Sequence, residues 1–327
     1  MKMTLRDIAK EARVSAATVS RAINTPEKVR PVTLKRIADA ARKAGYDIDV
    51  SSAASGLPRN KTIACITKEI KMPFMVSALS ALSKIASDNG FYASIHVTFN
   101  EENEKALYDM YSNSNCAGIV LSGDSYIRHI NAKVPVCVLD ETSRISGNFF
   151  NVSSDNNKAI RLLLDHLTKL GHTKIGFISG DPMTSSGSVR QKIFIEQMAE
   201  RGLPLPEEFI YTGDYMLKSG ISAFNYFYSL SDMPTAIIAA NDEMAKGFIV
   251  RAHSLGVKIP DDISICGIDT IYDDLFLPKI TSVVQNTKMI AETAFNFIKD
   301  GNGSANKKKI IPVVFSPGDT TYKLPQM

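Results

Sequence analysis

The stretch Thr4-Leu-Arg-Asp-Ile-Ala-Lys-Glu-Ala-Arg-Val-Ser-Ala-Ala-Thr-Val-Ser-Arg-Ala-Ile-Asn24 reads as two short helices joined by a tight turn. Thr4-Leu-Arg-Asp7 fits a capping box, with Thr4 as N-cap and Asp7 reaching back. Leu5, Ile8, Ala9 and Ala12 recur at helical spacing. Val14-Ser15 closes the turn, and Ser15 suits the N-cap of the second helix, Ala16–Asn24. Within it Val19, Ala22 and Ile23 share one face, which leaves Ala16, Ala17, Ser20 and Arg21 for the other face or the N-terminal end. Pro26 stops this helix, and a third is expected from about Thr33 to Ala44, capped by Gly45. This is the pattern of a helix-turn-helix.

The charge supports that reading. Residues 1–50 hold 11 Lys and Arg against 6 Asp and Glu, a net of +5. The whole chain of 327 residues carries only +4, so the remainder sums to −1. A basic head on a near-neutral body points to a polyanionic partner for the head. The small side chains of Ala16 and Ala17 allow close approach to a major groove. Arg21 can donate twice to a guanine edge. Thr4, Ser15, Thr18, Ser20 and Asn24 are the candidates for phosphate contacts, which fix docking register.

Residues 4–46 closely resemble the DNA-binding head of the lactose-repressor/galactose-repressor family. Val14-Ser15-x-x-Thr18-Val19-Ser20-Arg21 is the core of the match, and Gly45-Tyr46 ends it. The resemblance implies base reading by Ala16, Ala17 and Arg21. It also implies a hinge helix after the head that orders on DNA and wedges a leucine into the minor groove. The sequence departs from the pattern there. Ile48 stands where the family has proline, Ser55 stands at the wedge position, and Leu57, two residues later, precedes Pro58. Residues 51–61 therefore read either as a hinge with Leu57 as a shifted wedge or as a plain tether.

From Thr62 onward, apolar strand-like runs alternate with helical stretches, several of which stop at a glycine. The runs include Ile63–Ile66, Gly118–Leu121, Val136–Leu139, Lys174–Ile178, Ala236–Ala239 and Ile263–Ile268. Helices are expected at about Phe74–Asn89, Glu101–Ser112, Lys158–Leu170, Arg190–Arg201, Lys218–Leu230 and Glu243–Leu255. This is the pattern of parallel sheets with helices on both faces. The expected fold is thus an all-α helix-turn-helix head plus an α/β body of two doubly wound parallel-sheet lobes. The resemblance extends over the body to about Pro317 and implies a periplasmic-binding-protein-like fold. The expected organisation is a head at 1–50, a linker at 51–61 and an effector-binding and dimerisation domain at 62–327. In that domain one lobe spans 62–152 with a return segment at 286–327, and the other spans 153–285. The helix Thr287–Asp300 and the strand Ile310–Phe315 are expected to return to the first lobe.

Ligands of open α/β sheets sit beyond the carboxyl ends of the strands. That rule selects Phe74, Ser186, Arg190, Tyr215, Asn241, Asp269 and Gln285. The resemblance selects much the same residues as effector contacts. Each also has a structural reading: Asn241 and Asp242 as helix caps, Arg190 as an ion-pair partner, Gln285 as a bridge between lobes. Donors, amides and a carboxylate suit vicinal hydroxyls, with Tyr215 and Phe74 as apolar faces. The expected effector is a sugar, sugar acid or sugar phosphate, the anionic forms being drawn by Arg190. A nucleoside or purine is the alternative.

Other classes are disfavoured. No G-x-S-x-G, H-E-x-x-H, Walker A or G-x-G-x-x-G pattern occurs, and His96, His129, His166, His172 and His253 lack ligand spacing. Cys65, Cys116, Cys137 and Cys266 form no C-x-x-C pair and read as reduced thiols. No catalytic residue, metal or cofactor is expected. With no apolar run of the ~18 residues a membrane span needs and no visible export signal, the expected compartment is the cytosol. An exported sugar-binding protein would lack the basic head. A global regulator working with a corepressor remains open. The resulting expectation is a homodimeric regulator, a repressor by preference, that binds double-stranded operator DNA under effector control.

Overall fold

The computed structural model describes residues 5–24, 29–43, 61–68, 70, 72–140, 144–182, 184–269, 276–300 and 307–324. The head consists of α1 (Leu5–Glu11), α2 (Ala16–Asn24) and α3 (Pro31–Lys43). Ile8, Ala9, Ala12, Val19, Ala22, Leu34, Ile37 and Ala41 form its core. The helical spacing in the sequence therefore corresponds to the buried faces. Thr4, Ser55 and Leu57, together with the rest of residues 51–60 of the linker, lie outside the described residues.

The body begins with β1 (Thr62–Thr67), α4 (Pro73–Asp88), β2 (Tyr92–Val97), α5 (Glu101–Ser112) and β3 (Gly118–Ser122). It continues through the two-residue β4 (His129–Ile130), β5 (Val136–Leu139), the two-residue β6 (Ser146–Gly147) and β7 (Phe150–Ser154). The chain then crosses into a second lobe through α6 (Asn156–Lys169), β8 (Ile175–Ser179), α7 (Ser185–Glu200) and β9 (Ile210–Thr212). This lobe is completed by α8 (Leu217–Tyr228), β10 (Ala236–Ala239), α9 (Asp242–Ser254), β11 (Ser264–Asp269) and β12 (Thr281–Gln285). Last come α10 (Thr287–Asp300), β13 (Lys308–Ile311) and β14 (Val313–Ser316).

Two six-stranded sheets result. The first has the order β13-β7-β5-β3-β1-β2 and is parallel throughout. The second has the order β14-β12-β11-β10-β8-β9, with only β14 antiparallel. Central strands such as β3, β5, β8 and β10 are buried along their whole length. That is why they read as continuous apolar runs in the sequence.

The C-terminal return differs from the expectation. Helix α10 does pack on the first lobe, through Ile290, Ala291, Ala294, Phe295 and Ile298. The single strand expected at Ile310–Phe315, however, is two strands in two sheets. β13 pairs with Asn151–Ser154 of the first, and β14 pairs with Ser282–Gln285 of the second. Pro312 lies between them, where its missing N–H and fixed φ interrupt a ladder. Residues 313–324 stay with the second lobe. The Thr320 hydroxyl donates to the Ile265 carbonyl at 2.6 Å and accepts from the Thr281 amide at 2.9 Å, and the Leu324 amide donates to the Leu170 carbonyl at 2.9 Å. The return segment is therefore shared between lobes and does not belong to the first alone. Besides the two-residue β4 and β6, two strands are absent from the sequence reading: β2, whose Tyr-Ala-Ser-Ile-His-Val is half-exposed at a sheet edge, and β7, whose buried Asn151, Ser153 and Ser154 hide its strand character.

Candidate functional sites in the head and between the lobes

In the head, the Ser15 hydroxyl accepts from the Thr18 amide at 3.1 Å and lies 2.8 Å from the Thr18 hydroxyl, which secures the start of α2. Arg13 closes α1 with φ +52°. Arg36 of α3 donates to the carbonyls of Ala12 at 2.5 Å and Arg13 at 3.2 Å, which locks α3 against the turn. Val19 and Ala22 point into the core, while Ala16, Ala17 and Arg21 are exposed together. Thr18 and Ser20 are half-buried beside them. The structure thus presents the three base-reading candidates on the outer side of α2. Asn24 ends that helix; its side chain is outside the described atoms.

In the body, the candidate residues converge at the carboxyl ends of the second sheet. Arg190 does not begin its helix, as the sequence suggested; α7 starts five residues earlier, where the Thr184 hydroxyl accepts from the Gly187 amide at 3.1 Å. Arg190 is 3% exposed, and its guanidinium donates from Nε to Asn156 Oδ1 at 2.8 Å and from Nη1 to the Ala240 carbonyl at 2.6 Å. Tyr215 has φ +70° and lays its ring on Gly180, where a Cβ would sit 2.0 Å from Tyr215 Cζ. Only glycine at position 180 permits that approach. The Tyr215 hydroxyl donates to Ser186 Oγ at 3.1 Å. Asn241 donates from Nδ2 to the Tyr215 carbonyl at 2.9 Å and accepts the Met244 amide on Oδ1 at 3.0 Å. It is thus the N-cap of α9 and the clamp on the Tyr215 backbone.

Asp269 ends β11 with φ +139°, a conformation that costs energy outside glycine. Gln285, at the end of β12, donates from Nε2 to its carboxyl. Burial pushes the Asp269 carboxyl up to about 7; Arg190 and the Gln285 amide oppose the rise, and the charges of Asp140 and Glu243 reinforce it. The Tyr215 phenol is also raised by burial, against the Arg190 charge and the Ser186 hydrogen bond, with Asp140 again raising it. Asp140 directly follows β5 of the first lobe, so these two groups feel a carboxylate from across the interlobe space. Buried polar atoms at this cluster, Gln285 Oε1 and Ser185 Oγ, have no hydrogen-bond partner among the described residues.

Of the sequence-selected residues, Ser186, Arg190, Tyr215, Asn241, Asp269 and Gln285 come together. Phe74 does not join them. It is buried in the first lobe's core with Ile63, Cys65, Met75 and Ala78. An apolar residue in the first turn of α4 is needed to seal helix on sheet, and that role consumes the ring. The sequence reading missed Asn156 and Asp140. Asp140 was within reach of the strand-end rule, since it follows Val136–Leu139; Asn156 carries no local signal. Among the described residues, no group of three or more His, Cys, Asp or Glu could hold a metal ion, and no helix is long and apolar enough to cross a membrane.

Residues 4–48 match the family model "Bacterial regulatory proteins, lacI family", and residues 164–321 match "Periplasmic binding protein-like domain". The chain is 30% identical over 307 residues to catabolite control protein A of Priestia megaterium, covering 91% of this chain and 92% of that one. It is 28% identical over 304 residues to the HTH-type transcriptional repressor CytR of Escherichia coli (strain K12), covering 91% and 89%. In fold it is similar to a lac repressor dimer bound to operator and the anti-inducer ONPF, with TM-score 0.72, 21% identity and coverage of 98% and 100%. A transcriptional regulator CelR–cellobiose complex gives TM-score 0.71, 21% identity and coverage of 97% and 99%.

Proposed function

The chain belongs to the lacI family of bacterial regulatory proteins, and from that premise we propose that it is a repressor whose operator affinity is set by a small molecule held between its two α/β lobes. The observation that carries this reading is the cluster of Arg190, Tyr215, Asp269 and Gln285, buried at the strand ends and facing a carboxylate of the other lobe. The head supplies the DNA contacts: Arg21 to a base edge, with Ala16 and Ala17 allowing close approach. Ser15, Thr18 and Ser20, beside that trio, supply phosphate contacts that fix the register.

A ligand that contacts both lobes changes the equilibrium between lobe arrangements only through its different affinity for them. A homodimer would place two heads on half-sites of a near-palindromic operator. Exposed apolar residues on the first lobe's free edge and neighbouring helix, namely Val76, Tyr92, Ile95 and Phe99, support self-association there. We assign no catalysis to the chain; its relatives are transcription regulators, which fits a binding role. The test is selection of binding sites from random duplexes by the full-length protein, followed by footprinting with candidate effectors. A near-palindromic site whose occupancy responds to one of them is the expected result. Recovery of no sequence preference would overturn the reading.

A further inference from the structure

His172 lies at the amino end of the second lobe, between α6 and β8, and is 0% exposed. Its Nε2 is 3.0 Å from the Tyr322 carbonyl, which can only accept, so Nε2 carries the proton. Nδ1 is then the bare nitrogen and accepts from the Thr235 hydroxyl at 2.9 Å. The neutral ring thus ties the residue ahead of β10 to the C-terminal segment. Nearby on α6, His166 Nε2 meets the Thr321 hydroxyl at 2.9 Å. Thr320 anchors that segment, because it is buried and its hydroxyl bonds both Ile265 and Thr281. Beyond Thr320 the chain follows the last strand, β14, and is held more lightly. The Tyr322 amide donates to Ser264 Oγ at 3.0 Å and the Leu324 amide to the Leu170 carbonyl at 2.9 Å. On the other side of the ring, β8 and β10 are neighbouring buried strands inside the sheet. The lid that can move is therefore Thr321–Leu324.

A second proton on His172 breaks no hydrogen bond, since the Thr235 hydroxyl can turn to the Lys174 carbonyl at 3.3 Å. It places a charge where there is no water. The charged groups around the ring are Lys169 of α6, Lys174 ahead of β8, Asp232 ahead of β10 and Lys323 of the segment itself, which line an adjoining cavity of about 820 Å³ together with Thr235 and Leu324. Asp232 is already held by Lys174 at 2.5 Å, and Asp165 of α6 by Arg201 at 2.5 Å. β11 contributes the uncharged Ser264, and β14 places Phe315 against His166. Burial pushes the His172 imidazole below its ordinary 6.5, against the pull of the Tyr322 carbonyl. His166 is lowered by burial, then by the charges of His172 and Lys169. We propose that Thr321–Leu324 is an acid-released latch: a proton on His172 is accommodated by lifting these residues off the ring, which lets the imidazolium reach water through the cavity. The closed latch binds fewer protons than the open one, so its closure is strongest above the ordinary histidine value and is lost as pH falls below it.

The test is hydrogen exchange of the full-length protein at pH 8.0, 6.5 and 5.0, read by mass spectrometry and scaled to intrinsic exchange rates. The expected result is at least a tenfold loss of protection at the Tyr322 and Leu324 amides between pH 8.0 and 5.0, with β8 and β10 unchanged. His172→Gln keeps a donor for Tyr322 and an acceptor for Thr235 but cannot titrate, so it should hold the latch closed at every pH. Protection independent of pH in the wild-type protein would overturn the proposal, as would a loss that persists in His172→Gln. Should that variant fail to fold, the histidine ring resonances of the wild-type protein decide. The His172 signal must titrate below 6.5 and together with the loss of protection; any other midpoint overturns the latch.

Discussion

Arg190 combines two roles that the sequence could only offer as alternatives. It holds Asn156 and Ala240, and in the proposed function it also contacts the effector. Arg190→Ala should therefore lose effector response and also lower stability by about 2 kcal/mol or more, because two buried acceptors lose their donors. Chemical denaturation and effector titration of the same variant check both effects. Asp269 supplies a pH signature. An unfolded aspartate ionises near 4, whereas the native carboxyl holds its proton up to about 7. Between those values the native state binds more protons, so this group's contribution to stability falls as pH rises and levels off above about 7. The full span is on the order of 4 kcal/mol. Asp269→Asn should gain in stability over the wild-type protein from pH 5 to pH 8 in ligand-free urea unfolding, and a constant difference would contradict the assignment. In the head, Arg21→Ala should cost about 1–3 kcal/mol at one base pair and relax preference there, read from binding to single-position operator variants.

Helices α8 and α9 show why element boundaries were more legible than element packing. Their apolar periodicity placed both to within two residues. Their close approach depends on Gly220 and Gly247: a Cβ on the first would lie 1.9 Å from the Met244 carbonyl oxygen, and one on the second 2.0 Å from that of Leu217. Both glycines occur inside helices, where they weaken the local signal, and only the facing helix explains them. Gly247→Ala should destabilise the protein by about 1–3 kcal/mol through backbone overpacking, measured as a lowered unfolding midpoint at unchanged m-value. The early start of α7 was hidden for a related reason. Ser185, Ser186, Gly187 and Ser188 are poor helix formers, and the turn forms because Thr184 caps it and Ser185 and Gly187 are buried.

Across the whole molecule, charge separates the functions. A head of net +5 precedes a body of net −1, so binding to operator DNA should fall steeply with salt as phosphate contacts release counterions, while effector affinity should change little. Filter binding and calorimetry over 50–200 mM salt check the two slopes. The sequence alone determined the helix-turn-helix, its exposed trio Ala16, Ala17 and Arg21, the parallel α/β character of the body and most strand-end residues. These are written in local periodicity, capping and glycine stops, which act over a few residues. The tertiary structure alone decided the division of the C-terminal strands at Pro312, the burial of Phe74, the joining of Asn156 to Arg190, and the influence of the Asp140 charge on Asp269. Each of these brings together residues distant in the chain, and hydrogen bonding and low-dielectric electrostatics act on spatial distance, which local sequence patterns do not encode.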